Sequence, residues 1–519
     1  MKKLFVIYFI LFVTTGLIAQ QIPSDYNFSA KRLTKTSDQT PASNSIERIL
    51  VDGNNIWLGT GNGLSRSTDN GDSWKNYYSV DPFGEENVYA IKSNNSTVWA
   101  STWHMITESG QGIPVGTGLC YSSDNGVTWN KIDQPIDLKS DSVITYGNNK
   151  LRIDPIATNK VNMVRDIGFT KNTIWIAAWG GGLRKSTDNG QTWKRVVLPP
   201  DNLNSIKPTD TLNFFISPSV NNNYYVFAIL TVKDTIYVGT AGGINKSTDG
   251  GVSWVKFNHA NQAHPISGNF IWSMSFNEAD NSIWAATWQA ASQSEFWGVS
   301  SSKDGGKSWN NYLSGEKVHD IAFKYFGSNG NYTSADIFAA TENGAYRSSN
   351  NGATWISAPE IKDDNSSADI NTKYFLSVKV NRRTDSSTDI WLGSNKGLAR
   401  LNETTGFWTG SWKVFLASEK LNSVTESYAF PNPFSPNSEQ VKIKYSTLGS
   451  ANVTIRILDF GMNLVRTVIQ NAPRIPNSEQ LDIWDGRDEG GRIVPNGVYF
   501  YRIDLGSGTP LFGKIMVIM

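Results

Sequence analysis

Apolar residues in this chain fall in short alternating runs, each stopped by Gly, Asn or Asp. Ile46 to Val51 alternates as a strand, Asp52-Gly53-Asn54-Asn55 turns it, and Ile56-Trp57-Leu58-Gly59-Thr60 makes a second. Gly61-Asn62-Gly63 leads into a third strand at Leu64-Ser65-Arg66, and Trp74 opens a fourth that reaches Tyr78. Period-two patterning between Gly/Asn punctuation predicts half-buried strands joined by tight turns. Second strands of the same make recur at Val98-Trp99, Ile174-Trp175, Ile236-Tyr237, Ile283-Trp284, Ile337-Phe338 and Ile390-Trp391. The pattern predicts a tandem array of small four-stranded units.

Between the third and fourth strands stands one eight-residue phrase. It reads STDNGDSW at Ser67–Trp74, SSDNGVTW at Ser122–Trp129, STDNGQTW at Ser186–Trp193, STDGGVSW at Ser247–Trp254 and SKDGGKSW at Ser302–Trp309. A sixth copy, SSNNGATW at Ser348–Trp355, has Asn350 in place of the aspartate. The carboxylate or amide of Asp69, Asp124, Asp188, Asp249, Asp304 or Asn350 can accept from backbone amides just ahead, and the following Gly supplies positive φ. The closing Trp buries a large ring against the sheet. These aspartates therefore read as the structural corners of hairpins. The stretch Ile390–Arg400 (IWLGSNKGLAR) repeats Ile56–Arg66 (IWLGTGNGLSR), but Asn402 to Trp408 is a degenerate turn where a corner would stand. Six complete units and one degenerate unit make seven, over residues 45–416.

The corner phrase resembles the Asp-box (bacterial neuraminidase) repeat, S-x-D-x-G-x-T/S-W. That resemblance implies a seven-bladed β-propeller with a box between the third and fourth strands of each blade. It implies no single activity, because sialidases, xyloglucanases, sortilin-type receptors and non-enzymatic assembly factors all carry such boxes.

After Phe415 the composition changes. Residues 417–427 read as a linker and 428–519 as a second domain, opened by the proline-stiffened stretch Tyr428 to Asn437. Alternating strands follow at Val441–Tyr445, Ala451–Leu458, Leu464–Ile469, Leu481–Asp488 and Gly497–Ile503. About seven short strands in roughly 90 residues suit an Ig-like sandwich, so the expected fold class is all-β, a propeller followed by a sandwich. The phrases P-N-P-F, W-D-G-R-D and P-N-G-V-Y-F-Y-R resemble the Ig-like domain of flagellar hook-capping (FlgD-like) proteins and the sorting domains of type IX secretion. The resemblance implies secretion machinery as a partner and release or attachment at the cell surface, although W-D-G-R-D departs from the usual sorting tail. Asp485 and Asp488 read as a turn ladder rather than a calcium site.

At the other end, Lys2 and Lys3 precede the apolar run Leu4–Val13, and small and polar residues follow to Ala19. Residues 1–19 are expected to be a secretory signal and 20–44 a linker, part of which could add an edge strand. The protein is expected to be exported, extracellular or on the outer cell surface, with no membrane span. Net charge +1 and pI near 7.7 give no electrostatic case for nucleic acid or a membrane surface. Cys120 is the only cysteine, which excludes an intrachain disulfide. His104, His259, His264 and His319 show no metal-ligand spacing, and no cofactor motif is present.

Loops in a four-stranded blade alternate between two faces. The corners share one face; the second-to-third loops and the blade connections share the other. The long segments His104–Thr117, Gln289–Trp297, Asp133–Asn162 and Leu198–Asn223 belong to the second group and are expected to elaborate that face. There, at strand exit, the repeat aligns Trp103, Trp179 and Trp288. At the head of the innermost strands it aligns Glu47, Tyr89, Arg165, Phe227, Trp272, His319 and Leu376, with Asp166 and Asp320 one residue on. These columns form a candidate site for a glycan or surface protein; the competing reading is inter-blade packing and solvated charge. A glycosidase would need a carboxylate pair at roughly 5 to 9.5 Å. Asp166, Asp320, Glu47, Glu108 and Glu342 are candidates, none singled out, and no F/Y-R-I-P phrase precedes the first unit. Three readings stay open: a non-catalytic binding protein, a sialidase-like or xyloglucanase-like hydrolase, and a purely structural surface protein.

Overall fold

The first repeat forms strands Ile46–Asp52, Asn55–Thr60, Gly63–Ser67 and Lys75–Asn76. Its second strand lies between sheet neighbours and between adjacent blades, so Ile56, Trp57 and Leu58 are all fully buried. The fourth strand is shorter than the expected Trp74 to Tyr78. Trp74 is drawn inward instead, 2% exposed, with its Nε1–H donating to the Gly71 carbonyl at 3.1 Å. This computed structural model describes residues 40–519, apart from 291, 329, 366–367, 383–386, 418–420, 422, 431, 438–439, 477 and 507. The expected leader and residues 20–39 of the expected linker lie outside the described residues.

Seven such four-stranded antiparallel units, counted among the described residues, succeed one another along the chain, and a parallel bridge from Gly63 to Asn87 joins the first two. The innermost strands are Ile46–Asp52, Asn87–Asn94, Val164–Thr170, Val226–Val232, Phe270–Asn277, Val318–Ser328 and Phe375–Arg382. Blade seven replaces the corner with a long hairpin, Gly397–Gly406 and Thr409–Phe415, turned by Trp408 at φ 57°. The second unit of the chain holds Tyr428–Phe430, Val441–Thr447 and Ser478–Trp484 in one sheet. Leu464–Arg474, Ala451–Leu458, Gly497–Asp504 and Leu511–Val517 make the other. Ile443, Tyr445, Ile455, Ile457, Trp484 and Ile515 fill the core of this Ig-like sandwich. The fold is an all-β seven-bladed propeller followed by an Ig-like β-sandwich.

Each corner also clasps its neighbour. The Asp124 carboxylate accepts from Ser122 Oγ (2.7 Å), Val127 N (3.1 Å), Thr128 N (2.9 Å) and Thr128 Oγ1 (2.5 Å). Gly126 sits at φ 76°, where a Cβ would stand 2.6 Å from the Trp57 ring of the preceding blade. Tyr77 Oη and Lys75 Nζ of that blade donate to the Gly126 carbonyl. Gly190 meets Trp99 and Gly251 meets Trp175 in the same way. In blade three the Thr192 hydroxyl, then its amide and the Ser186 hydroxyl, hold Asp188 down at about 2.

The ring closes by side chains, because each blade is contiguous in sequence. Ile49 N donates to Ser377 Oγ (3.1 Å), Lys413 pairs with Asp72 (2.6 Å), and Phe415 packs on Trp391 and Trp74. Residues 40–44 add no edge strand. They run across blade one, where Ala42 N donates to Ser65 Oγ and Asn76 Nδ2 to the Thr40 carbonyl, and Asn44 Oδ1 accepts from Ala417 N.

The long connections depart from expectation. Within 133–162 and 198–223, Arg152–Ile153 pairs in parallel with Phe215–Ile216, and Ser205–Ile206 pairs with Trp254–Val255, the outermost strand of blade four. Tyr146 Oη reaches the Val252 carbonyl in the blade-four corner (2.7 Å). Leu151, Ile153, Ile206 and Ile216 bury against Val196, Leu198 and Trp254. Most of the length of these insertions therefore lines the rim of blades three and four, where their alternating apolar positions find a partner. Residues 159–161 do return to the face opposite the corners, where Lys160 bridges Val115 and Gly180 N donates to the Val161 carbonyl. Asp137 anchors them to blade three through Arg184 (2.8 Å) and Arg195 (3.0 Å). The blade-two segment is no loop either: Thr97–Glu108 and Gln111–Ser122 continue as one antiparallel ribbon, with a register shift between Thr102 and Trp103.

Candidate functional site

Every innermost strand carries a register shift at the same place, between Ile46 and Arg48, Val88 and Ile91, Val164 and Asp166, Val226 and Ala228, Ile271 and Ser273, Val318 and Asp320, Phe375 and Ser377. The unpaired residues are Glu47, Tyr89 with Ala90, Arg165, Phe227, Trp272, His319 and Leu376. A β-bulge frees one residue from the ladder and re-aims its side chain. The repeat thus sets one bulge residue per blade around the axis.

Several of these side chains meet across it. The Arg165 guanidinium of blade three lies 4.0 Å from the Tyr89 ring centre and 4.2 Å from that of Trp272 in blade five, and its Nη2 donates to Tyr89 Oη (2.7 Å). Arg48 of blade one stands 5.0 Å over Tyr89, donates to the same oxygen at 3.4 Å, and reaches within 3.5 Å of the His319 carbonyl in blade six. An aromatic belt continues from there. Trp179 packs on Phe227, Phe227 on Phe270, and Trp272 stacks on Trp288 with centres 4.4 Å apart and planes 4° off parallel. His319 sets its ring against the edges of both tryptophans and against Tyr374. Trp288 Nε1–H donates to the Val318 carbonyl (2.8 Å), which fixes the stack. Lys317 Nζ lies between Trp288 and the exposed Trp297, and pairs with Glu342 (3.4 Å).

The structure brings Tyr89, Arg165, Trp179, Trp272, Trp288 and His319 together. It leaves Trp103 out: opposite Trp103 stands Asn87, whereas opposite Trp288 stands Phe270. Trp103 packs, as Trp179 also does, on the cluster of Tyr89, Trp99, Leu119 and Met163 between blades two and three, and it does not join the Phe270, Trp272 and Trp288 rings. Asp166 and Asp320 hook one blade to the next. Asp166 accepts from Ile167 N and Ile229 N; Asp320 accepts from Ile321 N, Ser377 Oγ and Lys379 Nζ. Glu47 accepts from Ser45 Oγ, and Glu108 pairs with Lys160 on the blade-two ribbon. Arg48, Phe270, Lys317 and Tyr374 were missed by sequence reasoning. Two of them left a signal: Arg48 shares the column of Asp166 and Asp320, and Phe270 shares a strand face with Trp272.

His319 is 2% exposed, and neither ring nitrogen has a hydrogen-bond partner. Burial, and after it the charges of Arg48, Arg165 and Lys317, push its pKa down to about 3, so the ring is neutral at ordinary pH. Burial also pulls Arg165 below the usual guanidinium range. Among the described residues no group of three or more His, Cys, Asp or Glu could hold a metal ion, and no helix is long and apolar enough to cross a membrane.

No protein-family model matches the chain. Among curated proteins, the xyloglucanase Xgh74A of Acetivibrio thermocellus is 28% identical over 134 residues, covering 25% of this chain and 14% of that enzyme. A probable oligoxyloglucan-reducing end-specific xyloglucanase of Neosartorya fischeri is 26% identical over 137 residues, covering 26% of this chain and 13% of that protein. These matches thus span a small fraction of the relatives' own length. Among solved structures, the GH74 xyloglucanase of Xanthomonas campestris superposes with TM-score 0.51 at 13% identity, over 80% of this chain and 59% of that one. The Niastella koreensis GH74 enzyme gives TM-score 0.50 at 13% identity, over 93% and 74%. These likenesses show the β-propeller fold.

Proposed function

We propose that this protein is an exported, non-catalytic Asp-box propeller that holds a glycan or protein partner on the face where the Trp272–Trp288 stack lies. The observation that carries this reading is the belt of aromatic rings that begins around Arg165, in which Trp179, Phe270, Trp272 and Trp288 are partly exposed, since flat rings beside polar donors suit a sugar or a side-chain platform. The nearest carboxylates support binding over catalysis. Asp166 and Asp320 are engaged with backbone amides, a hydroxyl and an ammonium. In this reading residues 1–19 are removed on export, 45–416 form the binding propeller, and 428–519 serve secretion or surface attachment.

A second reading is favoured by the curated relatives, whose names are those of xyloglucanases: a glycoside hydrolase acting on a related polysaccharide. One experiment separates the two. Titration calorimetry with xyloglucan and other polysaccharides is paired with a reducing-end assay on the same samples. Binding without new reducing ends, lost in Trp272→Ala and Trp288→Ala, supports the binding protein. Product release abolished by replacing one Asp or Glu establishes the hydrolase instead.

A further inference from the structure

We infer that the mouth of the propeller axis takes a carboxylate-bearing sugar, a uronate unit of an acidic glycan, between Arg48 and Arg165. The inference rests on the proposed glycan-binding reading and names the ligand's charge. Two guanidiniums meet there on a single phenolic oxygen, Tyr89 Oη. Among the described residues neither forms an ion pair, and Arg165, 7% exposed, keeps its Nε without a partner. Buried charges are ordinarily paired, because an unpaired one carries its full desolvation cost.

The acids nearby are already engaged. Asp320 is held by Lys379 at 2.8 Å, Asp166 by two amides, Glu47 accepts from Ser45, and Glu342 lies beside Lys317. Glu47, Asp166 and Asp320 act on the two guanidiniums through space, but among the described residues no carboxylate is hydrogen-bonded to either, so N–H groups at the mouth are left for an incoming anion. A planar guanidinium matches a carboxylate through two parallel hydrogen bonds.

One further feature selects a sugar over a peptide terminus. Trp272 is covered by Arg165 on one face and Trp288 on the other, which leaves the partly exposed Trp288 as a flat apolar platform for a pyranose face, and a bare carboxylate has no use for it. Arg48, Trp272 and Trp288 are only partly buried, so a ligand can approach from that face.

The test is calorimetry on the full chain with three probes: an oligogalacturonide, its methyl ester, and a xyloglucan oligosaccharide. The acid should bind at least about tenfold tighter than the ester, as expected for charge-assisted hydrogen bonds, and its affinity should fall with added salt. Arg165→Met and Arg48→Met should erase the preference for the acid, whereas Trp272→Ala should weaken both forms. The acid–ester comparison on the unaltered protein stands even if a variant fails to fold. Equal binding of acid and ester, or a preference for xyloglucan, overturns this inference and leaves the glycan reading in place. Binding of none of the three overturns this inference and the glycan reading it rests on, and binding only of a peptide with a free C-terminal carboxylate, run as a fourth probe, does the same while favouring a protein partner.

Discussion

His319 makes the stability of the propeller fall in a pH window of its own. Unfolded, its imidazole titrates near 6.5; folded, it titrates at about 3. Between those values the unfolded chain holds a proton that the native ring refuses. The stabilisation is therefore complete above about pH 6.5 and is lost as pH falls toward 3. The slope approaches about 1.4 kcal/mol per pH unit, so roughly 3 kcal/mol is lost by pH 4. The corner aspartates act lower down. Asp188 is held at about 2, and Asp69 and Asp249 also lie below the ordinary value, so their loss begins near 3.8 and below. Urea denaturation of the full chain at pH 7, 6, 5 and 4, beside His319→Gln, isolates the imidazole. The unaltered protein should lose stability across this range and the variant should lose far less. Parallel curves for the two proteins would refute the assignment of a buried, neutral imidazole.

Removing Asp137 should cost about 3–5 kcal/mol, because Arg184 and Arg195 would remain buried without their counter-ion; urea denaturation of Asp137→Ala checks it. Gly126→Ala should destabilise the contact between blades one and two by about 1–3 kcal/mol, since its Cβ would collide with Trp57 at a positive φ. Near-UV circular dichroism should register the displaced indole. Trp103→Phe should leave ligand affinity unchanged while Trp288→Ala abolishes it, in the same calorimetric assay. A loss in both would place Trp103 within the site after all.

Much of the propeller was legible because its determinants are local. Strand alternation, the Asn-Gly and Gly-Gly corners and the indole that closes each corner all act within one repeat. Counting repeats was enough to give seven blades. Aligning them also put Glu47, Arg165, Phe227, Trp272, His319 and Leu376 in one column, and each of these is the bulged residue of its strand. The bulges themselves were not readable, since the alternation runs through them. Nor was the path of 133–162 and 198–223, whose apolar positions are satisfied by each other and by blade four, distant in sequence.

By itself, then, the order of residues determined the unit: a four-stranded sheet with a carboxylate-capped corner, repeated until it could close on itself, and a sandwich after it. Only the tertiary structure decided what those units place at the axis. Trp103 and Trp288 occupy one register, yet the first faces Asn87 and the second faces Phe270 beside Trp272. Arg165 finds Tyr89 and Trp272 on other blades. A hairpin corner is fixed by neighbours along the chain, whereas a side chain at the axis is fixed by neighbours around the ring, and those meet only when the ring is closed.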